Sequence, residues 1–408
     1  MRNKHIRIYA IATLALLALG VSTTVHTLAR HEFDAVPPHG ATPKGPLLTS
    51  EKQVGMTTTA GAEKKFEPGE HVGVGVSIPR MQVQHKSEKN FRARLPIPAS
   101  RQTEIMAWVY PGSPACGARD ELSDGRKIYT LKVEYFRVED GGMLRLLDEA
   151  RAGCNGFSEK NIAYLKRYSL TQYVTVSTAD TSNMDLFLEA DDRTGTHVAE
   201  LVLFVVEHGF TGVEIDFEDF GNWDQKIYER YKAFITRLGS ELHRHNKKLM
   251  VDGPATGNAE EEAWYSWRYN DFTTLPVDQL VVMAYDYQFD TGAGNPVAPL
   301  AWIRDVVRWV VSRYPDKNRL TIGIPSYGYR GTTGTQRFTL LTHHELQREP
   351  GFEQATRDSS SGEMTWERNG ISYFYQDSRS MALKREVIES LGIRSISVWH
   401  LGGNPWFQ

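Results

Sequence analysis

Cysteine is scarce in this chain, and neither sign of charge is in clear excess. Two cysteines in 408 residues exclude zinc-finger arrays, iron–sulfur sites and a disulfide-dense mini-domain. Lys and Arg together number 47 against 50 Asp and Glu, which gives a formal net charge of −3. The clustered positive charge that neutralises phosphates is therefore missing, and we predict no nucleic-acid partner.

The first 30 residues contain no acidic side chain. Arg2, Lys4 and Arg7 precede an uncharged, apolar run from Ile8 to Ala29. A basic start followed by such a run is typical of an export signal, and its roughly 22 residues also approach the length that spans a bilayer. We predict a cleaved signal peptide or a retained signal anchor over residues 1–30, which would be the only membrane contact. The remainder would then be extracellular or in the cell envelope.

Residues 31–100 lack both Trp and Tyr, and they hold eight of the 18 prolines. A stretch with so few large apolar side chains buries too little surface to offset the entropy of ordering it. We predict a mostly disordered linker here, with a short strand at Val72–Ile78, followed by a folded domain over residues 101–408.

Export changes what the two cysteines imply. In an oxidising compartment Cys116 and Cys154 form a candidate disulfide, which would close a loop of about 39 residues. Two unconnected buried thiols are the alternative.

Beyond residue 100, short apolar runs typical of strands alternate with amphipathic stretches typical of helices. The predicted strands are Ile105–Tyr110, Leu131–Phe136, Gln172–Thr178, Gly212–Asp219, Leu249–Gly253, Leu280–Tyr287, Leu320–Tyr327 and Ser395–Leu401. Helical patterns between them include His197–His208, Gln225–Asn246, Leu300–Arg313 and Ser378–Leu391. This alternation favours an α/β fold of the (β/α)8 TIM-barrel type. The first strand is not followed by a Gly-x-Gly-x-x-Gly turn, which argues against a dinucleotide-binding sheet.

The fourth predicted strand carries a row of acids, in the sequence Thr211-Gly-Val-Glu-Ile-Asp-Phe-Glu-Asp-Phe. Because side chains alternate along a strand, Glu214, Asp216 and Glu218 share one face, and the apolar residues between them share the other. The apolar face must pack on helices, so the acids point into the barrel at intervals of about 6–7 Å. At least one pKa should rise there, which makes Glu218 a candidate general acid and Asp216 a stabilising partner.

This strand resembles that of glycoside hydrolase family 18, which carries Asp-Gly-x-Asp-x-Asp-x-Glu. The match falls on Gly212, Asp216 and Glu218, and the chain departs from the pattern at Thr211 and Glu214, where the family usually has Asp. Three further segments are similar to family motifs: Met283-Ala-Tyr-Asp-Tyr-Gln, Gly323-Ile-Pro-Ser-Tyr-Gly-Tyr and Ile396-Ser-Val-Trp-His-Leu-Gly-Gly. The sequences of these motifs are most similar to those of the bacterial spore-germination and cortex-lytic N-acetylglucosaminidases.

The resemblance implies a retaining mechanism in which the N-acetyl group of the substrate is the nucleophile. Glu218 would be the acid and base, Asp216 would orient the acetamido group, and Tyr285 would donate a hydrogen bond to it. The resemblance further implies substrate contacts at Asp286 and Trp399, and we add Tyr287, Tyr327 and Glu214 as substrate-binding candidates. No cofactor and no metal ion is expected.

The implied activity is hydrolysis of β-1,4 bonds in a polysaccharide that contains N-acetylglucosamine, either peptidoglycan or a chitin-like polymer. Two alternatives belong to other classes. A family 18 barrel that has lost its acid can serve as a lectin, although this chain keeps Glu218, Asp216 and Tyr285 together. An unrelated barrel enzyme could use the three acids as metal ligands, but no His lies nearby on the predicted strand ends.

Overall fold

All eight predicted strands are present, and they form one closed parallel barrel. The computed structural model describes residues 102–112, 116–123, 128–189 and 191–407. The predictions for residues 1–30 and 31–100 lie outside these ranges. The barrel strands, numbered β1 to β8, are Glu104–Val109, Ile128–Glu139, Ser169–Thr178, Gly212–Phe217, Lys248–Pro254, Gln279–Met283, Leu320–Pro325 and Ser395–Trp399.

Each barrel strand pairs in parallel with its neighbours in chain order. Strand β1 pairs with both β2 and β8, and this pairing closes the barrel. A short strand, Met143–Leu146, adds to β2 in the antiparallel sense. The carboxyl ends of all eight barrel strands therefore meet at one end, where a barrel of this type places its chemistry.

Helices connect the strands and cover the outside of the barrel. The longer ones are Glu159–Tyr168, Thr181–Glu189, Asp191–Glu207, Gln225–Arg244, Leu300–Arg313 and Ser378–Ser390. Single-turn and short helices are Ala118–Ser123, Glu149–Ala152, Ala259–Glu262, Gln288–Thr291 and His343–Leu346. Five 3-10 turns are Gly153–Asn155, Phe220–Asn222, Tyr269–Thr273, Lys317–Arg319 and Phe352–Gln354. Of the four helical patterns predicted above, all lie within or overlap a helix.

The helix after β4 shows why these segments are helical. The side chain of Asp224 caps its first turn by accepting a hydrogen bond of 2.8 Å from the backbone N–H of Ile227. Its buried face follows the three- and four-residue spacing of a helix and includes Phe234, which stacks on Phe217 of β4 at 6.0 Å. The apolar face of β4 therefore packs on the helices, so its acids point into the barrel.

An antiparallel insert separates β7 from the last helix. It consists of the strands Gly328–Thr332, Phe338–Leu341, Thr356–Arg357, Met364–Arg368 and Ile371–Tyr375. Trp366 stacks on Tyr373 with ring centroids 3.9 Å apart and forms the centre of its small apolar core. Gly328 is required where the insert begins, because a Cβ there would lie 2.3 Å from the side chain of Tyr375. The sequence analysis predicts no element here, since the strands have two to five residues each and no sustained pattern.

A disulfide joins Cys116, just before the first helix, to Cys154 in the segment that follows the strand Met143–Leu146. Within the described ranges, no helix has both the length and the apolar character needed to cross a membrane.

Candidate active site

Three acids form a row inside the barrel: Glu214 and Asp216 lie on β4, and Glu218 follows its last residue. All three are buried, with exposed fractions of 0% for Glu214, 7% for Asp216 and 4% for Glu218. Parallel pairing places Glu214 beside Thr175 and Asp216 beside Ser177 of β3. Glu218 follows the last residue of β4 and is the outermost acid of the row, at the end of the barrel where the connecting loops lie.

Asp216 and Glu218 are neighbours in this inward-pointing row. Burial raises the pKa of Asp216 to about 8, with further increases from the charges of Glu214 and Glu134. Burial and the neighbouring charge of Asp216 raise the pKa of Glu218 well above its usual range. Both acids are therefore harder to ionise than isolated carboxyl groups.

Glu214 is bonded to the barrel itself at both oxygens. Its Oε1 forms an ion pair with the ammonium of Lys132 on β2, and both side chains are 0% exposed. Its Oε2 accepts hydrogen bonds from Trp108 Nε1 at 2.9 Å and Thr175 Oγ1 at 2.6 Å. Both oxygens of Glu214 are thus bonded to side chains of the barrel, and a substrate contact at Glu214 remains a prediction.

Asp252 of β5 is a buried acid that the sequence analysis does not single out. Its side chain is 0% exposed, and no donor among the described residues bonds either of its oxygens. Burial and the charge of Glu214 raise the pKa of Asp252 well above its usual range, which favours a protonated Asp252.

Tyr285, two residues beyond β6, faces the same group of acids. It is buried, and its pKa is raised by burial and then by the charges of Asp216, Asp252 and Glu218. Gly323 of β7 makes room for its ring, because a Cβ at that position would lie 3.0 Å from Tyr285 Cε1. The neutral phenol is therefore held beside Asp216 and Glu218 as a hydrogen-bond donor.

Asp286 follows in a left-handed backbone conformation, with φ of 64°. Its Oδ1 accepts a hydrogen bond from the hydroxyl of Tyr327 and another, at 3.1 Å, from that of Tyr329 in the insert. Burial raises the pKa of Asp286 to about 7, while these two hydrogen bonds act to lower it. The charge of Asp286 also helps to raise the pKa of Glu218.

Tyr327, a predicted substrate contact, lies against Asp286. The side chain is 0% exposed, and its hydroxyl is used by Asp286. The insert strand that continues from it places Tyr329 beside it, with ring centroids 5.5 Å apart. Tyr327 thus orients Asp286 from below, while Asp286 keeps its predicted place next to the acid row.

Two further predicted substrate contacts lie at the edge of the site. Trp399, the last residue of β8, is 6% exposed and meets Trp108 and Tyr110 edge-on, with centroids 5.6 and 5.7 Å away. Tyr287 is half-buried and packs on Trp302 at 5.4 Å. Sugar contacts at Trp399 and Tyr287 remain predictions.

Glu134 of β2 completes the charged lining. Its Oε1 accepts hydrogen bonds from Ser177 Oγ at 2.6 Å and Arg137 Nε at 3.0 Å, and Arg137 is its ion-pair partner. Across the described ranges, no group of three or more His, Cys, Asp or Glu side chains has an arrangement suited to a metal ion.

The residues that sequence reasoning missed are Lys132, Glu134, Asp252 and Tyr329. A signal for three of them was present: β2 reads Leu131-Lys-Val-Glu-Tyr and β5 reads Met250-Val-Asp, with charges alternating with apolar residues as on β4. Because side chains alternate along a strand, the same pattern predicts that these three side chains point into the barrel. Tyr329 carried no such signal, because the insert was not predicted.

A closed parallel barrel with two neighbouring buried carboxyl groups at the carboxyl end of a strand has the architecture of an enzyme that carries out acid–base chemistry at that end. The family model "Glycosyl hydrolases family 18" matches residues 160–404, which is more than half of the chain. The chain belongs to this family of glycoside hydrolases.

Two curated relatives come from Bacillus subtilis (strain 168). The chain is 22% identical over 262 residues to the uncharacterized glycosylase YvbX, an alignment that covers 60% of this chain and 74% of that protein. It is 24% identical over 224 residues to a cortical fragment-lytic enzyme, covering 50% of this chain and 49% of that protein. The chain thus spans about half the length of the second relative.

Two solved structures share the fold. The spore cortex-lytic enzyme SleL of Bacillus megaterium QM B1551 superposes with a TM-score of 0.61 at 18% identity, covering 76% of this chain and 72% of that one. A chitinase from Chromobacterium violaceum ATCC 12472 superposes with a TM-score of 0.61 at 21% identity, covering 74% of this chain and 95% of that one.

Proposed function

We propose that this protein hydrolyses β-1,4 bonds next to N-acetylglucosamine, with retention of configuration and with the acetamido group of the substrate as nucleophile. The observation that carries the proposal is the buried Asp216–Glu218 pair at the carboxyl end of β4, where burial and the neighbouring acids raise the pKa of both groups and favour a proton on Glu218, the outer acid. Such a proton is available to a glycosidic oxygen, whereas an ionised Glu218 would have none to give.

In the first step, the acetamido oxygen attacks the anomeric carbon while Glu218 protonates the leaving oxygen, and the glycosidic bond breaks. Asp216 accepts a hydrogen bond from the acetamido N–H and stabilises the positive oxazolinium ion. Tyr285 donates a hydrogen bond to the acetamido oxygen and aligns it for attack. In the second step, Glu218 takes a proton from water while the water oxygen attacks the anomeric carbon. This attack breaks the bond to the acetamido oxygen, opens the oxazolinium ring and gives net retention of the anomeric configuration.

We further propose peptidoglycan as the polymer. Two relatives named above are described as cortical fragment-lytic and spore cortex-lytic enzymes, and the sequence motifs resemble the same branch of the family. A chitin-like polymer is the competing outcome, since a chitinase shares the fold. The basic and apolar N-terminus supports the proposal that the enzyme acts outside the cytoplasm, either secreted or anchored by residues 1–30.

The test is mass analysis of products from purified peptidoglycan and from chitooligosaccharides, for the wild-type protein and for Glu218→Gln. We expect soluble fragments with N-acetylglucosamine at the new reducing end, and a fall in kcat/KM of about 10³-fold or more for the variant, because the amide cannot protonate the leaving group.

A matched control is Glu363→Gln, which changes another fully buried glutamate that is bonded to the backbone N–H groups of Val297 and Ala298. Its turnover per folded molecule should stay near wild type. If Glu218→Gln kept most of its activity, the assignment of the acid would be wrong. If the wild type bound both glycans and released nothing, the lectin alternative would replace it.

A further inference from the structure

The departure of this chain from the family pattern on β4 coincides with a buried cation. Glu214 stands where the family usually has Asp, and its carboxylate is paired with Lys132, two strands away on β2. The side chain of Thr175 on the intervening strand bonds the same carboxylate at 2.6 Å. The additional methylene of glutamate lengthens the reach from β4 across β3, so Glu214 and Lys132 form one matched pair.

The position of Lys132 is fixed by aromatic and ionic contacts together. Its ammonium lies 3.1 Å from the centroid of the Trp108 ring, and the indole N–H of Trp108 donates to the other oxygen of Glu214. A lysine and a glutamate removed from water without a partner would each be strongly unfavourable. Side chains from three strands, β1 to β3, are therefore organised around the carboxylate of Glu214.

We propose that Lys132 is a positioning residue of this active site, because its ion pair with Glu214 offsets the negative charge next to the Asp216–Glu218 pair. The inference rests on the proposed function. Glu214 and Asp216 lie two residues apart on the same face of β4, so the ammonium of Lys132 acts close to the outer acids. It limits how strongly the carboxylate of Glu214 makes those acids retain their proton.

Several charged and titratable groups surround the Asp216–Glu218 pair, and Lys132 is one of them. Facing Asp216 and Glu218 are four acids, Glu214, Glu134, Asp252 and Asp286. Lys132 is paired with Glu214, and Arg137 is paired with Glu134. The phenols of Tyr231, Tyr285 and Tyr329 also face the pair and stay neutral, because burial raises their pKa values. On Asp216, after the effect of burial, Glu214 raises the pKa and Lys132 lowers it. Asp252 responds to the same two charges in the same directions.

The test is the pH dependence of kcat/KM for Lys132→Met, Glu214→Gln and the double variant, with Glu218→Gln and Lys384→Met in the same series. Removing the ammonium should move the alkaline limb to higher pH by about half to one unit, since the acids then hold their protons longer. Removing the carboxylate should move it to lower pH by a similar amount. The double variant removes both charges and should return close to the wild-type limb.

Lys384→Met is the matched control, because it breaks another lysine–glutamate pair of 0% exposure that lies outside the acid row. Its alkaline limb should stay where the wild type has it. The double variant also guards against misfolding, since replacing both members of a buried pair leaves no uncompensated charge. Limbs that stay at the wild-type pH in both single variants, while Glu218→Gln is inactive, would overturn the inference and leave the proposed function standing.

Infrared absorption of protonated carboxyl groups, titrated without substrate, gives a second measurement. The pH at which this band disappears should rise in Lys132→Met and fall in Glu214→Gln. Substantial turnover by Glu218→Gln would defeat the proposed function, and the infrared shifts would still decide whether Lys132 controls the protons of the row. Unchanged titrations in both variants would show that it does not.

Discussion

Among the residues that the structure describes, two lysine–glutamate pairs are fully buried, and they have different surroundings. Lys384 of the last helix pairs with Glu363 of the insert at 3.0 Å, and Glu363 also accepts 2.8 Å hydrogen bonds from the backbone N–H groups of Val297 and Ala298. Lys384 donates a further bond of 2.8 Å to Gln376. This pair ties three segments of the chain together, and both oxygens of Glu363 accept a hydrogen bond from a backbone N–H group.

The pair inside the barrel has the same chemistry next to other acids. Glu214 is bonded on all sides, but its neighbours Asp216 and Asp252 have oxygens that no described donor reaches. Unsatisfied buried acids oppose folding unless they hold protons. The comparison teaches that one buried ion pair stabilises the fold, while the other compensates charge beside a group of acids retained for chemistry.

The sharpest way to break this comparison is to remove a charge from the acid row. Asp216→Asn should lower kcat/KM by about 10³-fold, because an amide cannot stabilise the oxazolinium ion as a carboxylate does. Steady-state kinetics on chitooligosaccharides or digested peptidoglycan would measure it. A loss of less than tenfold would mean that Asp216 belongs with the structural acids.

The next largest effect is expected on stability, at the other pair. Lys384→Met should lower the free energy of unfolding by about 3–5 kcal/mol, because it leaves the carboxylate of Glu363 buried without its cation. Urea denaturation followed by circular dichroism would measure this. A change below about 1 kcal/mol would show that the backbone N–H groups alone satisfy Glu363.

A smaller effect on catalysis is expected at the phenol beside the row. Tyr285→Phe should lower kcat by about 10- to 100-fold, since it removes one hydrogen bond to the acetamido group and leaves the ring in place against Gly323. The thermal unfolding midpoint should stay near wild type. An unchanged kcat would assign Tyr285 to packing.

The smallest effect is a gain in stability that depends on pH. The pKa of Asp252 is raised in the folded state, so its contribution to stability is lost as pH rises above the usual aspartate value of about 4. Asp252→Asn avoids this loss and should unfold a few degrees higher than wild type at pH 7. The gain should shrink toward zero below pH 4, where the acid is protonated in both states. Scanning calorimetry at the two pH values would measure the difference, and an equal gain at both would contradict the assignment.

The barrel and the core of its site were predictable because alternation along a strand depends on local sequence alone. Asp216 and Glu218 were found from β4 in this way, and Tyr285 from the resemblance at β6. The partner of Glu214 was not predictable, because Lys132 precedes it by more than 80 positions and meets it only through the closure of the barrel. Asp252 and Glu134 carried the same alternating signal, and applying the argument to every strand would have found them.

The antiparallel insert is the second feature that could not be predicted from the sequence. Its strands are short and depend on one another, so no single segment predicts the sheet. The hydrogen bonds from Tyr327 and Tyr329 to Asp286 were not predicted for this reason. The end of β7 would be open to substrate in a bare barrel, but the insert that continues from it places Tyr329 against the same aspartate.

That contact makes the insert part of the catalytic apparatus. The hydroxyl of Tyr329, a residue of the antiparallel insert, donates a hydrogen bond to Asp286. The charge of Asp286 in turn raises the pKa of Glu218. Shortening the insert to obtain a minimal barrel, or exchanging it for that of a distant relative, would therefore alter the proton affinity of the acid even if every strand of the barrel survived.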